Sequence, residues 1–368
     1  MTGPRYLITG GAGFIGRHLA GELLASGAEV RVLDSLLEQV HGRGPVSLSR
    51  PLDGVEFIRG DVRDATVVQK ALSQVDGVFH LAAEVGVGQS MYQVDRYTSV
   101  NDLGTAVLFQ QLIERPVKRV VVASSMSIYG EGLYETSDGR PAVSRGRARE
   151  GWDPVDDAGN RLRAVPTPET KPPQLASVYA LNKYVQERMT LMLCETYYME
   201  SCALRLFNVY GPGQALSNPY TGVLAIFASR LLNGQRPMVF EDGHQRRDFV
   251  HVKDVAHAFR LAMEKPEANG EVINIGSGRS ISITETAEQL AAAMGRTDIR
   301  PLITNKSRQG DIRHCFADTS KAARLLDFKA QRGFSESLPE LADWVATQEA
   351  FDGVDAARAE LEVRGLVS

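Results

Sequence analysis

Short runs of apolar and β-branched residues alternate with amphipathic stretches through the first half of the chain. Residues 6–8, 30–33, 55–58, 78–81, 120–122 and 203–206 are such runs, each bounded by turn-forming residues, and they predict strands. Between the first two, Ile15, Leu19, Leu23 and Leu24 share one helical face. Strands alternating with helices predict an α/β fold, a doubly wound parallel sheet covered on both sides. From about residue 212 the pattern loosens, with helix-like segments at 222–234, 254–265 and 283–294 and shorter strands between them. The expected division is a nucleotide-binding domain over 1–211, to which 250–275 returns. A smaller mixed α/β substrate domain takes 212–249 and 276–350. Residues 131–173 break the rhythm: they are rich in proline and charge, with little periodicity. A loop of that length reads either as a solvated insertion or as an active-site lid.

Composition narrows the class. With 368 residues, 43% hydrophobic and 23% charged, the chain has the mix of an ordinary globular protein, and its length suits a large domain with a smaller partner. A net charge of −4 argues against a nucleic-acid footprint, which needs a basic surface. No apolar run approaches the length of a membrane span, and the first ten residues lack the pattern of a signal peptide. Cys194, Cys202 and Cys315 form no CxxC pair, as expected of a cytoplasmic protein. His251 and His257 do not share a helical face, so no metal site is expected.

The first chemical signal is the segment 9–16, TGGAGFIG, between the first strand and the first helix. Gly10, Gly13 and Gly16 permit a tight turn, close backbone approach to a pyrophosphate, and close helix–strand packing. The helix N-terminus then offers free N–H groups and a positive dipole end to the phosphates. Asp34 ends the second strand, at the place where a carboxylate holds adenosine ribose hydroxyls. An acid there, followed by Ser35, would repel a 2′-phosphate, which favours NAD over NADP. Asp61 is suited to the adenine amino group, or is a turn residue. Leu81, Ala82 and Ala83 would let the cofactor lie across the carboxyl edge of the sheet.

The second signal is Tyr179 and Lys183, four residues apart and so on one face of a helix. A lysine and a cationic nicotinamide beside a phenol would lower its pKa toward that of a usable base. Ser124 and Ser125 end a sheet strand upstream, from which a hydroxyl can reach the same substrate oxygen.

These segments, with HLAA (80–83), Asn101, SSMSIYG (124–130), LRLFNVYGPG (204–213) and RDFVHVKD (247–254), resemble the ordered motifs of extended short-chain dehydrogenases. The similarity is to the NAD-dependent nucleotide-sugar epimerase branch and runs from about residue 5 to 345. It implies a Rossmann-like fold, NAD as cofactor, a nucleotide-diphosphate sugar as substrate, and a homodimer formed through helices around 100–114 and 179–197. Leu108, Leu112, Leu191 and Leu193 would serve either that dimer or the core. It further implies a catalytic triad of Ser125, Tyr179 and Lys183. Phe14, Ile15, Val62 and Asn101 join the cofactor residues, Asn101 as an internal structural or proton-relay group. Ser127, Asn208, Arg247, Arg308, Asp311 and Cys315 join Ser125 on the substrate side, with the arginines on the diphosphate and Cys315 lining the sugar pocket.

Two departures refine the reading. Sugar 4,6-dehydratases carry an acidic pair directly after the catalytic hydroxyl, where this chain has Met126 and Ser127, so dehydration is disfavoured. Galactose epimerases carry a lysine shortly after the HLAA-like strand, where this chain has Glu84 and Val85. Residues 218–252 and the long insertion look most like bacterial dTDP-L-rhamnose 4-epimerases, which implies redox-neutral inversion at C4 through a transient 4-keto sugar. The competing readings are a nucleotide-sugar 4-ketoreductase or dehydrogenase, and a dinucleotide-sensing protein without catalysis.

Overall fold

A computed structural model describes residues 3–41, 54–144, 146–147, 151–218, 220, 222–307, 311–349 and 354–367. Its centre is a sheet of seven strands: β1 (Arg5–Thr9), β2 (Glu29–Asp34), β3 (Val55–Arg59), β4 (Gly77–His80), β5 (Arg119–Ser125), β6 (Glu200–Leu206) and β7 (Glu271–Ile275). Their spatial order is β7-β6-β5-β4-β1-β2-β3, and every neighbouring pair is parallel. All seven residues of β5 are buried, which explains a valine run with no polar alternation. The strand order reverses between β1 and β4, and at such a switch point a crevice opens beyond the carboxyl ends of the strands.

Helices cover both faces of the sheet. The helix Phe14–Ala25 buries Leu19 and Leu23 completely or nearly so, with Ile15 and Leu24 packed at the margin. Each full burial is worth about 1.5–3 kcal/mol, so this apolar face alone anchors the helix that follows the glycine turn. The helix Val252–Glu264 lies alongside it, and β7 follows, so the chain comes back to the sheet after visiting the smaller region.

That smaller region is built on Asn208–Tyr210, Arg246–His251 and Ser280–Ser282, with His314–Cys315 pairing Arg246–His251 from the other side. The helices Val223–Leu232, Ile283–Ala293 and Phe334–Ala346 close a core of their own around Phe227, Leu290, Leu341 and Val345. No described helix is long and apolar enough to cross a membrane.

The described part of the 131–173 insertion packs behind the cleft. Leu133–Glu135 pairs with Arg163–Val165 and Pro141–Ala142, and Thr167 bridges to Ala317. Arg313 is 1% exposed and binds Asp153 of the insertion at 3.0 Å and Glu241 at 2.9 Å. None of the described insertion residues is among those that line the cleft. Leu108 and Leu112 are fully buried in the core beneath β4 and β5, whereas Leu103, Leu181 and Met192 are the large apolar side chains exposed on these helices.

Candidate active site

One cleft of about 1270 Å³ runs from the glycine turn, past the ends of β4 and β5, to the smaller region. At its nucleotide end, Gly10 has φ +70, and its N–H donates to Leu33 O at 2.8 Å. A Cβ on Gly16 would lie 2.5 Å from Gly11 Cα, so the helix and turn touch through backbone alone. A Cβ on Gly13 would meet Gly10 O at 3.2 Å and nothing else nearby, which leaves that side of the turn open to a ligand. Asp34, 8% exposed, accepts from Ala12 N at 3.0 Å and Leu36 N at 2.8 Å, so its carboxylate is locked at the end of β2. Phe14, Ile15, Ser35, Val62, Leu81, Ala82 and Ala83 line the same stretch. Asp61 lines it too, but its oxygens already bind Arg63 Nη2 at 2.6 Å and Nε at 2.9 Å, and that pairing holds its carboxyl below the ordinary range. A bare backbone turn at a helix N-terminus, an anchored acid on the next strand and small residues along the sheet edge fit a dinucleotide.

The reacting groups are presented by β5 and the helix Val178–Thr196. Ser177 caps that helix, accepting from Ala180 N at 3.1 Å, and Tyr179 N donates to Ser90 Oγ at 3.0 Å. Asn182 Nδ2 donates to Asp102 Oδ2 at 2.8 Å, which fixes the helix rotation. The result aims Tyr179 and Lys183 into the cleft opposite Ser125, whose Oγ accepts from Ser127 Oγ at 2.9 Å. Burial pushes the Tyr179 phenol up to about 12, and its hydrogen bond with Ser125 opposes that rise. Lys183 donates to Ala123 O and Gln186 Oε1, both at 2.9 Å, and burial pulls its ammonium down to about 7. Without the cationic nicotinamide, burial dominates the phenol, and the Lys183 ammonium is held by Ala123 O and Gln186 Oε1.

At the substrate end, Asn208, Arg247, Asp311 and Ser127 all line the cleft. Arg247 lies 3.7 Å from Asp311 and donates to the carbonyls of Ile312 and Arg313. Asn208 Oδ1 is buried without a partner, a donor-seeking atom on the wall. Arg308 lies outside the described residues. Two further expectations change. Cys315 is 1% exposed and packs with Met126, Tyr129, Phe207 and Ala317 behind the cleft instead of lining the sugar pocket. Asn101, fully buried in the π-helical turn Ser99–Leu103, accepts from Glu84 N at 2.7 Å and donates to Glu84 O at 3.1 Å. Both ends of its amide are spent on pinning the chain after β4, so it supports the cofactor wall and does not touch the cleft.

Sequence reasoning missed three contributors. Glu84 lines the cleft while bound to Arg96 through two contacts of 2.9 Å. Gln186 connects Lys183 to a buried layer, its Nε2 lying 2.9 Å from Thr105 Oγ1 and 3.2 Å from His80 Nε2. Burial drives His80 down to about 3, so that layer is neutral. The helix Val354–Val363 closes the substrate end, with Val354, Arg358 and Leu361 on the cleft.

A model of the NAD dependent epimerase/dehydratase family matches residues 6–276. The dTDP-L-rhamnose 4-epimerase of Burkholderia thailandensis is 34% identical over 95% of this chain and 96% of its own length. The crystal structure of UDP-glucose 4-epimerase from Thermotoga maritima with UDP-glucose has a TM-score of 0.77 at 29% identity, covering 93% of this chain and 98% of that one. MoeE5 in complex with UDP-glucose and NAD has a TM-score of 0.74 at 31% identity, with coverage of 93% and 98%. With this match across its length and the glycine turn, anchored acid and tyrosine–lysine pair at one cleft, the chain belongs to the NAD dependent epimerase/dehydratase family.

Proposed function

We propose that this protein inverts C4 of a nucleotide-diphosphate sugar, with dTDP-L-rhamnose and dTDP-6-deoxy-L-talose as the preferred pair. UDP-hexoses and UDP-glucuronate come next. The observation that carries the reading is the placement of Tyr179 and Ser125 in the same cleft as Asn208, Arg247 and Asp311. A proton-transfer pair and a cationic grip on a diphosphate then serve one molecule.

NAD, held along Gly10–Gly16, Asp34, Asp61 and residues 81–83, supplies a hydride acceptor that can return the hydride. The protein's own groups do the rest. Ser125 Oγ hydrogen-bonds the C4 oxygen and holds it against the Tyr179 phenol. Tyr179 takes the C4 hydroxyl proton as the carbonyl forms and gives it back as the carbonyl is reduced. Lys183, fixed by Ala123 O and Gln186, would hold the cofactor ribose with its ammonium. Arg247 grips the diphosphate while the sugar turns, because a guanidinium matches phosphate oxygens with several donors. Met126 and Ser127 follow Ser125 with no carboxylate between them, so the cleft has no acid–base pair there to expel water. The choice of dTDP-L-rhamnose is supported by the near full-length relative of that name. Exposed Leu103, Leu181 and Met192 support a homodimer built on the helices that carry them.

The test is incubation of purified protein, with no cofactor added, with dTDP-L-rhamnose, UDP-galactose and UDP-glucuronate separately, reading products by NMR. A C4 epimer is expected, best from the first, and Tyr179→Phe should abolish it in a folded, NAD-bound protein. Turnover only when NAD is supplied, with matching NADH formation, would instead identify a dehydrogenase, and NADH consumption with a 4-keto nucleotide sugar would identify a ketoreductase.

A further inference from the structure

The chain at 311–315 runs between two neighbours, the strand Arg246–His251 on one side and the insertion 131–173 on the other. Gly132 N donates to His314 O at 2.7 Å, and a Cβ on Gly132 would lie 2.7 Å from that oxygen and 2.8 Å from Thr167 Oγ1. The insertion therefore starts flush against this segment, backbone to backbone. Near its other end, Thr167 N donates to Phe316 O at 2.8 Å and Thr167 O accepts from Asp318 N at 3.1 Å.

Glu131 and Arg247 meet across two consecutive peptide groups. Glu131 accepts from Arg313 N at 3.0 and 3.1 Å, one contact to each oxygen, and from His314 N at 3.3 Å. The carbonyls of the same two peptide groups, Ile312 O and Arg313 O, accept from Arg247 Nη2 and Nη1, the latter at 3.1 Å. The N–H and C=O of a trans peptide point to opposite sides, so the carboxylate and the guanidinium hold one pair of peptide planes from two faces. Each bond from an N–H to the carboxylate also polarises the carbonyl joined to it, which makes that carbonyl a stronger acceptor for Arg247. Nη1 gives its other N–H to Arg246 O at 2.9 Å, so backbone carbonyls set the plane of the guanidinium. The Arg313 side chain is anchored as well: its nitrogens donate to Glu241 at 2.9 Å, Asp242 at 2.9 Å and Asp153 of the insertion at 3.0 Å. A buried guanidinium must be paired, and carboxylates of the smaller region and of the insertion share this one.

We propose that Glu131, with Asp153 securing Arg313, positions Arg247 for the diphosphate, so that the insertion acts on substrate affinity without touching substrate. Arg247, Asp311 and Ile312 line the cleft, whereas Glu131 and Asp153 are not among its lining residues. With both peptide planes fixed, Arg247 is oriented before the nucleotide arrives, and binding does not have to order it. Weakening the Glu131 contacts frees the two peptide groups to rotate, and the guanidinium turns with them. The inference rests on the proposed function for the diphosphate contact at Arg247 and not for the chemistry at C4.

The experiment is a double-mutant cycle read by calorimetric titration of the full-length, NAD-loaded protein with dTDP and, separately, UDP. Glu131→Gln keeps the shape and one carbonyl acceptor, and turns the other oxygen into an amide donor facing an N–H. The expected result is about tenfold weaker nucleotide binding in E131Q, and no further loss when E131Q is added to Arg247→Met. Asp153→Asn leaves Arg313 paired with Glu241 and Asp242, so it is the second variant should E131Q fail to fold, and it should lose about threefold. KM for the nucleotide sugar should rise by the same factors, with kcat changed less than about twofold. An equal loss from E131Q in the R247M background overturns the proposal, since Glu131 would then act elsewhere, as does unchanged nucleotide affinity in both E131Q and D153N. Nucleotide binding that is absent from the unmodified protein, or unchanged in R247M, removes the diphosphate contact itself and the proposal with it. Failure to find C4 epimerisation would sink the proposed reaction and leave these affinities to stand or fall separately.

Discussion

Lys183 Nζ donates to Gln186 Oε1 at 2.9 Å, one turn further along the same helix and on its buried side. Gln186 is itself fully buried, and its amide nitrogen faces Thr105, His80 and Ala82 O, so its carbonyl has one task. Burial already brings Lys183 down from 10.5 to about 7. The sign follows: burial favours the neutral amine, so the penalty of holding the ammonium is absent above pH 10.5 and complete below about 7. Removing an acceptor from the ammonium lowers the pKa further. Gln186→Met is therefore expected to move the alkaline limb of kcat downward by about one pH unit, which is about tenfold in rate above it. A merely structural role would lower the melting temperature and leave that limb in place.

Ser125 is the group that opposes the burial-driven rise of the Tyr179 phenol. Ser125→Ala removes that hydrogen bond together with the one to the C4 oxygen, so the phenol should become harder to ionise, not easier. We expect kcat to fall on the order of 10²-fold, within the range for loss of one positioned proton-transfer partner. The acidic limb of the profile should shift to higher pH. Nicotinamide content after purification should match the unmodified protein, because Ser125 lies at the substrate side of the cleft. A variant that loses activity through loss of cofactor would show a different defect and remove this role from Ser125.

Asp34 discriminates between cofactors through charge held in place. Its two oxygens are fixed by Ala12 N and Leu36 N at 3.0 and 2.8 Å, so the carboxylate cannot swing away from an incoming phosphate. NADP should bind at least about 10²-fold more weakly than NAD, the cost of placing like charges together in a partly desolvated site. Asp34→Asn keeps an acceptor for the backbone and removes the charge, so it should narrow that gap while weakening NAD. Fluorescence titration with the two reduced cofactors reads both effects. Equal affinities in the unmodified protein would remove Asp34 as the determinant.

What could be read from the sequence was local. The glycine turn, the acid ending the second strand and the tyrosine–lysine pair each lie within one strand–turn–helix unit or one helical turn, where spacing alone fixes which groups meet. Six of the seven sheet strands were legible for the same reason: β-branched runs ended at turn residues. Position relative to distant elements was not legible. The family resemblance placed Cys315 in the pocket, but Met126 and Tyr129 from the turn after β5 and Phe207 from the end of β6 enclose it. For Asn101 the resemblance left a structural or a proton-relay role open, and the chain after β4, which uses both ends of its amide, favours the structural one. The helix Val354–Val363 was not anticipated, and that it covers the substrate end depends on Arg230, Met238 and Lys306, which no local pattern connects to it.

The three glycines of the turn should separate by mutation, because each is required for a different reason. At Gly16 a Cβ would lie 2.5 Å from Gly11 Cα and 2.7 Å from the Gly10 and Gly11 carbonyl oxygens, so backbone must move. Overpacking of this kind costs about 1–3 kcal/mol, and Gly16→Ala should lower the melting temperature whether or not cofactor is present. At Gly10 the φ of +70 adds strain, and a Cβ would also press on Ala82 N at 2.8 Å. Gly13 differs: its φ is −71 and a Cβ would meet only Gly10 O at 3.2 Å, so the folded protein accommodates it. The added methyl instead occupies the side of the turn that a pyrophosphate must approach. Gly13→Ala should therefore keep the stability of the cofactor-free protein, to within about 1 kcal/mol on surface-like tolerance, and lose bound NAD. Thermal melts of cofactor-stripped protein beside chromatographic quantitation of released NAD distinguish the two cases. If G13A and G16A lost stability equally without cofactor, the open side of the turn would not be where the dinucleotide lies.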